Sequence, residues 1–162
     1  MNWLKEHFER YKQRSPWDFC WRIAVEGTVL GLLAAAILTL IIGEAEREFL
    51  QLPMGAIFLV GVLIAPPLET LLLQALPVFV ARKLKASFRV QVIVSTVIFA
   101  ACHIMEGFTT AISAGLVGGF YFGFTYVHWR QKSRWTGFWV TALSHAIHNG
   151  IGVGLLAVLG DL

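Results

Sequence analysis

The stretch MGAIFLVGVLIAPPLETLLLQALPVFVA, residues 54–81, carries one ionisable side chain, Glu69. A helix needs about 20 apolar residues to cross a bilayer, and this stretch exceeds that, so it reads as a membrane span. Pro66-Pro67 removes two backbone donors from its middle and is expected to kink or break the helix. Four further stretches read the same way: Ile23–Ile42, Val90–Ile104, Thr109–Val127 and Trp135–Leu159, of which the third is short. Composition agrees. Of 162 residues, 57% are hydrophobic and 14% charged, where soluble domains carry about 25% charged residues. Mean hydropathy is +0.68. Disorder, a fibrous chain and a nucleic-acid-binding arm are excluded, and a soluble globule nearly so. The expected fold is all-α, a polytopic bundle of about five transmembrane helices.

The connecting charges test that count. From the N-terminal segment to the C-terminal one, Lys and Arg number 5, 1, 4, 0, 3 and 0. Such alternation is what positive-inside orientation requires, and it puts the N-terminus in the cytoplasm and the C-terminus outside. Trp3, Trp17, Trp21, Trp129, Trp135 and Trp139 all fall at the cytoplasmic ends, where indoles anchor. The expected location is the cell (inner or plasma) membrane. Residues 1–22 are too charged and aromatic for a signal peptide; they read as a cytoplasmic or interfacial segment ahead of a transmembrane domain, 23–162. Leu4, Phe8 and Tyr11 share one face of an interfacial helix, with Lys5 and Lys12 among its polar residues. In the fourth span Ala111, Gly115, Gly119 and Gly123 recur every fourth residue, a pattern that lets helices approach closely. Cys20 and Cys102 are expected far apart, as free thiols.

Ionisable side chains inside a membrane are costly and point to function. Span two carries Glu69 and Gln74, span three His103 with Glu106 nearby, and span five His145, His148 and Asn149. His7 and His128 read as surface residues. At 1.5 Å of rise per residue, Glu69, His103 and His145 lie about 20, 21 and 16 Å from the cytoplasmic boundary, near or just beyond the middle of a core about 30 Å thick. One shared polar site explains three costly residues at one depth. His145 and Asn149 share a helix face, and His148 can lean inward. A carboxylate and two imidazoles can bind a divalent metal such as zinc, or can activate water without one. Asn149 can donate to a developing oxyanion. The bland alternative is that these groups are hydrogen-bonded locks between helices.

These residues resemble the motifs of the CPBP family, the CAAX proteases and bacteriocin-processing enzymes, also called Abi. Its signatures are Glu-Glu followed after three residues by Arg, then Phe-x-x-x-His, then His-x-x-x-Asn/Asp. Phe99…His103 and His145…Asn149 match the second and third. The first keeps Glu69, but Thr70 stands for the second Glu and Gln74 for the Arg. The resemblance covers roughly Ala65 to Gly152, within a protease-like core of about 54–159. It implies an intramembrane peptidase that acts on a peptide or protein substrate at the lipid bilayer. Glu69 and His103 would activate water, and His145 and Asn149 would stabilise the oxyanion or complete the site. Glu106 could partly replace the carboxylate lost at Thr70. A divalent metal held by Glu69, His103 and His145 is a further expectation, since the family is often labelled metalloprotease. The alternative is a non-catalytic binding or immunity protein of the same fold. A proton or ion carrier is disfavoured, because nothing polar continues the path to both faces.

Overall fold

The computed structural model describes residues 2–43 and 52–159. The side chains of Trp3, Leu4 and Lys5, the segment containing Glu44, Glu46, Arg47 and Glu48, and the last three residues lie outside the described part. Among the described residues six helices form: α1 (Asn2–Lys12), α2 (Pro16–Ile42), α3 (Met54–Lys83), α4 (Phe88–Glu106, its last turn a 3₁₀ turn), α5 (Phe108–Trp129) and α6 (Arg134–Leu159). The last five are long and apolar enough to cross a membrane.

Local chemistry sets the helix ends. Ser15 Oγ accepts from Asp18 N–H, with Pro16 in the first turn, so α2 starts seven residues before the expected Ile23. The expected 1–22 segment is therefore α1 plus the opening turns of α2. Ser87 caps α4 in the same way. Gly107, at φ +99°, occupies the left-handed region that an L side chain avoids and separates α4 from α5.

Pro66-Pro67 does not break α3. Wide π-helical turns at Leu59–Ile64 and Thr70–Ala75 flank the prolines and absorb the lost register. Ala65 N–H reaches back five residues to Val60 O. In that register the next donor in line belongs to Pro66, which has none, and Gly61 O is left over.

The fourth span is the centre of the bundle. In its most apolar stretch 72% of residues are buried, against 17–28% in the other four. The small-residue stripe is the reason. A Cβ on Gly115 would lie 2.8 Å from Ala100 Cα, and one on Gly119 3.0 Å from Phe99 Cβ. Only glycine lets α5 lie this close to α4. The outer helices turn Leu, Ile and Val outward, with Leu40 and Met105 the most exposed. That belt suits lipid.

A buried cluster of Phe19, Cys20, Ile23, Tyr121, Phe124, Val127, Trp129 and Val140 fills one end of the bundle. The helix expected at the N-terminus forms, but its apolar face turns to the protein. Phe8 packs 4.7 Å from the Phe124 ring and Tyr11 5.7 Å from Phe19. His7 and His128 are consequently half-buried rather than surface residues. His128 stacks on Phe19. His7 Nε2 donates to Glu26, which also accepts from Tyr11 Oη and Tyr121 Oη, both at 2.6 Å. Burial, and then the Glu26 carboxylate, push the Tyr11 hydroxyl above its usual range. Cys20 is buried, Cys102 is exposed, and both are free.

Candidate active site

The polar residues predicted on α3, α4 and α6 are brought into one region. Glu69 Oε2 and His145 Nε2 lie 3.8 Å apart. This exceeds a direct hydrogen bond of about 2.7–3.2 Å. Glu69 lies within electrostatic range of His103 and Glu106, and His145 within range of His103 and His148. Glu69 is partly accessible and His145 is buried.

Phe99 and Phe122 form the floor. His103 stacks on Phe99 at 4.5 Å and His145 on Phe122 at 4.1 Å. Phe99 also meets His145 edge-on at 5.7 Å. Phe99 therefore acts twice, because its carbonyl oxygen also takes His103 Nδ1 at 2.8 Å. A carbonyl only accepts, so Nδ1 carries a proton, and in the neutral tautomer Nε2 holds the lone pair. The same logic fixes His148. Thr28 Oγ1 donates its one proton to Ala24 O at 2.8 Å, so His148 Nδ1, 3.1 Å away, donates to Thr28. For His145 the carboxylate opposite favours a proton on Nε2, while its buried Nδ1 has no hydrogen-bond partner among the described residues.

Asn149 Nδ2 donates to Gly61 O at 2.7 Å, the carbonyl freed by Pro66. One amide hydrogen is thus committed to α3 and the other remains for a ligand. Further along α3, Ser95 Oγ on α4 donates to Leu73 O at 3.0 Å, a second side-chain bond to the α3 backbone.

Thr70 and Gln74 are fully buried, and Thr70 Oγ1 and both amide atoms of Gln74 have no hydrogen-bond partner among the described residues. Glu106 is exposed at the end of the 3₁₀ turn and makes no hydrogen bond there. Among the described residues no three His, Cys, Asp or Glu side chains are grouped closely enough to hold one ion. The sequence reading missed Phe122, Thr28, Gly61 and Glu26. Only Glu26 carried a signal, as an ionisable residue inside an apolar span.

A helical membrane bundle with a carboxylate and imidazoles gathered at depth defines a class, the multi-pass membrane proteins with an intramembrane polar site. The chain belongs to the type II CAAX prenyl endopeptidase Rce1-like family, whose sequence pattern matches residues 51–151. That range contains Glu69, His103, His145, His148 and Asn149. No curated protein and no solved structure matches the chain.

Proposed function

We propose that the chain is an intramembrane endopeptidase in which Glu69 is the general base. The observation that carries this reading is the 3.8 Å separation of Glu69 Oε2 and His145 Nε2. A gap of that size suits one bridging water. Glu69 takes a proton from that water as its oxygen attacks the scissile carbonyl carbon. His103 Nε2, left as a lone pair, holds the water's second hydrogen and orients it. His145 Nε2–H and the second amide hydrogen of Asn149 donate to the oxyanion. The C–N bond then breaks, and the proton on Glu69 passes to the leaving nitrogen. Family membership supports a protein substrate presented at the membrane, with a prenylated C-terminus or a maturing peptide as the class. Charge alternation supports a cytoplasmic N-terminus in the cell membrane.

The test is cleavage of prenylated and unprenylated C-terminal peptides by the purified chain in lipid. Glu69→Gln should cost about 10²–10⁴-fold in rate, with melting unchanged, because Glu69 makes no direct hydrogen bond among the described residues. Full cleavage by Glu69→Gln removes its catalytic role. A second reading, a non-catalytic binding or immunity protein, is favoured by Thr70 and Gln74, which replace a family carboxylate and cation with partnerless side chains. Absence of cleavage by the intact chain across such peptides selects it.

A further inference from the structure

At the end of the bundle where α1 meets α2, a cleft of about 160 Å³ is lined by His7, Arg10, Tyr11, Arg14 and Arg22. Among the described residues no carboxylate lines it. Asp18 orients two of the guanidinium groups: Oδ2 accepts from Arg14 Nη1 at 3.0 Å, and Oδ1 from Arg22 Nε at 2.7 Å. Each guanidinium spends one of its five N–H donors on this contact. Glu26 accepts from His7 and Tyr11 and holds their rings in place. Arg10 is exposed, and its side chain has no partner among the described residues. Three cations with spare donors therefore line one small space, two of them oriented by Asp18.

We infer that this cleft binds a phosphate group, and that its usual source is the headgroup of an anionic phospholipid. Planar guanidinium forks match phosphate oxygens two at a time. Two tryptophans favour a headgroup. Trp17, three residues after Arg14, is 65% exposed, and Arg22 lies 4.6 Å over the Trp21 ring; exposed indoles are enriched at the membrane–water boundary. Because its walls come from α1, from Arg14 in the connecting turn and from α2, a bound phosphate fastens the N-terminal helix to the bundle. Ligand that binds only the folded chain raises its stability by mass action.

The experiment follows thermal unfolding of the purified full chain in neutral detergent by tryptophan fluorescence. Phosphatidylglycerol, phosphatidylcholine, or inorganic phosphate against chloride of equal ionic strength is added. Phosphatidylglycerol should give a saturable rise in melting temperature that phosphatidylcholine does not. Arg10→Gln, which breaks no contact, and Arg10→Gln/Arg14→Gln should each lose much of that rise, the pair at least half. Lys83→Gln/Lys85→Gln, basic residues of the α3–α4 turn, should keep it. A rise with inorganic phosphate assigns the cleft to free anions as well; no rise assigns it to the lipid. Equal effects of the two lipids, or equal losses in the arginine and lysine pairs, overturn the site.

Discussion

Asn149 on α6 and Gly61 on α3 are joined by a 2.7 Å hydrogen bond from the amide nitrogen to the carbonyl oxygen. The bond exists because Pro66 has no N–H to return to Gly61 in the π-helical register. It holds together two of the helices that carry Glu69 and His145. Asn149 thus has a structural duty alongside any role at an oxyanion.

Asn149→Ala should therefore lower stability as well as rate. An orphaned buried carbonyl costs about 1–3 kcal/mol, and loss of an oxyanion donor about 10²–10³-fold in rate. Asn149→Asp should be at least as harmful, since an ionised carboxylate cannot donate to Gly61 O. Thermal unfolding and cleavage measured on the same preparations check this. An unchanged melting temperature for Asn149→Ala would show that the bond contributes nothing.

Gly115 and Gly119 set the distance between α4 and α5, and so the position of Phe99 and His103. A methyl at Gly115 would meet backbone at 2.8 Å, with His103 Cβ 3.2 Å away. Gly115→Ala should cost about 1–3 kcal/mol by overpacking and should lower activity by displacing His103. Gly152→Ala is the control, because nothing lies within 4 Å of its added Cβ.

Glu26 accepts from His7, Tyr11 and Tyr121, so Glu26→Ala leaves three donors without a partner. It should destabilise the docking of α1 more than Tyr11→Phe, which removes one bond worth about 1 kcal/mol. Limited proteolysis between α1 and α2 reads this directly. The pH dependence has a defined sign. The Tyr11 hydroxyl is raised in the folded chain, so its contribution is whole below its unfolded value of about 10 and is lost as pH rises through the folded value. Tyr11→Phe should be weaker at neutral pH but show a shallower alkaline fall.

The spans and the grouping of Glu69 with His145 were legible because membrane cost acts on single residues: a carboxylate or imidazole in an apolar run stands out whatever surrounds it. The small-residue stripe was legible for a similar reason, since its spacing alone predicts a close approach. What could not be read was whatever depends on a partner distant in sequence. Pro66-Pro67 reads as a kink or a break, and only the surrounding π-helical turns and Asn149 show how α3 continues through it. His7 looked solvated, and only the docking of α1 brings it to Glu26.

Charge alternation fixes the expected topology. Single cysteines placed in a Cys20→Ser/Cys102→Ser background should label from outside the cell at Asp161 and not at Lys85. The reverse pattern would invert the chain and put the α1–α2 cleft on the other face.

Thr70 and Gln74 are four residues apart on α3, both fully buried, and their side-chain polar atoms have no hydrogen-bond partners among the described residues. The family pattern places Glu and Arg there. Thr70→Glu alone would bury a carboxylate beside no cation and should cost several kcal/mol, as should Gln74→Arg alone. Together the side chains stand at helical i, i+4 spacing and can pair. The double variant should recover part of both losses, a coupling of about 0.5–3 kcal/mol for residues in contact. Cleavage should rise in the double variant above either single, because a second carboxylate then stands next to Glu69 in sequence and its cation about one turn further on. Thr70→Val/Gln74→Met removes the partnerless groups at similar volume and should melt no lower than the parent, with its rate unchanged. Additive losses in the Glu/Arg cycle would mean that the two side chains do not meet, and that the family motif cannot be rebuilt in this bundle.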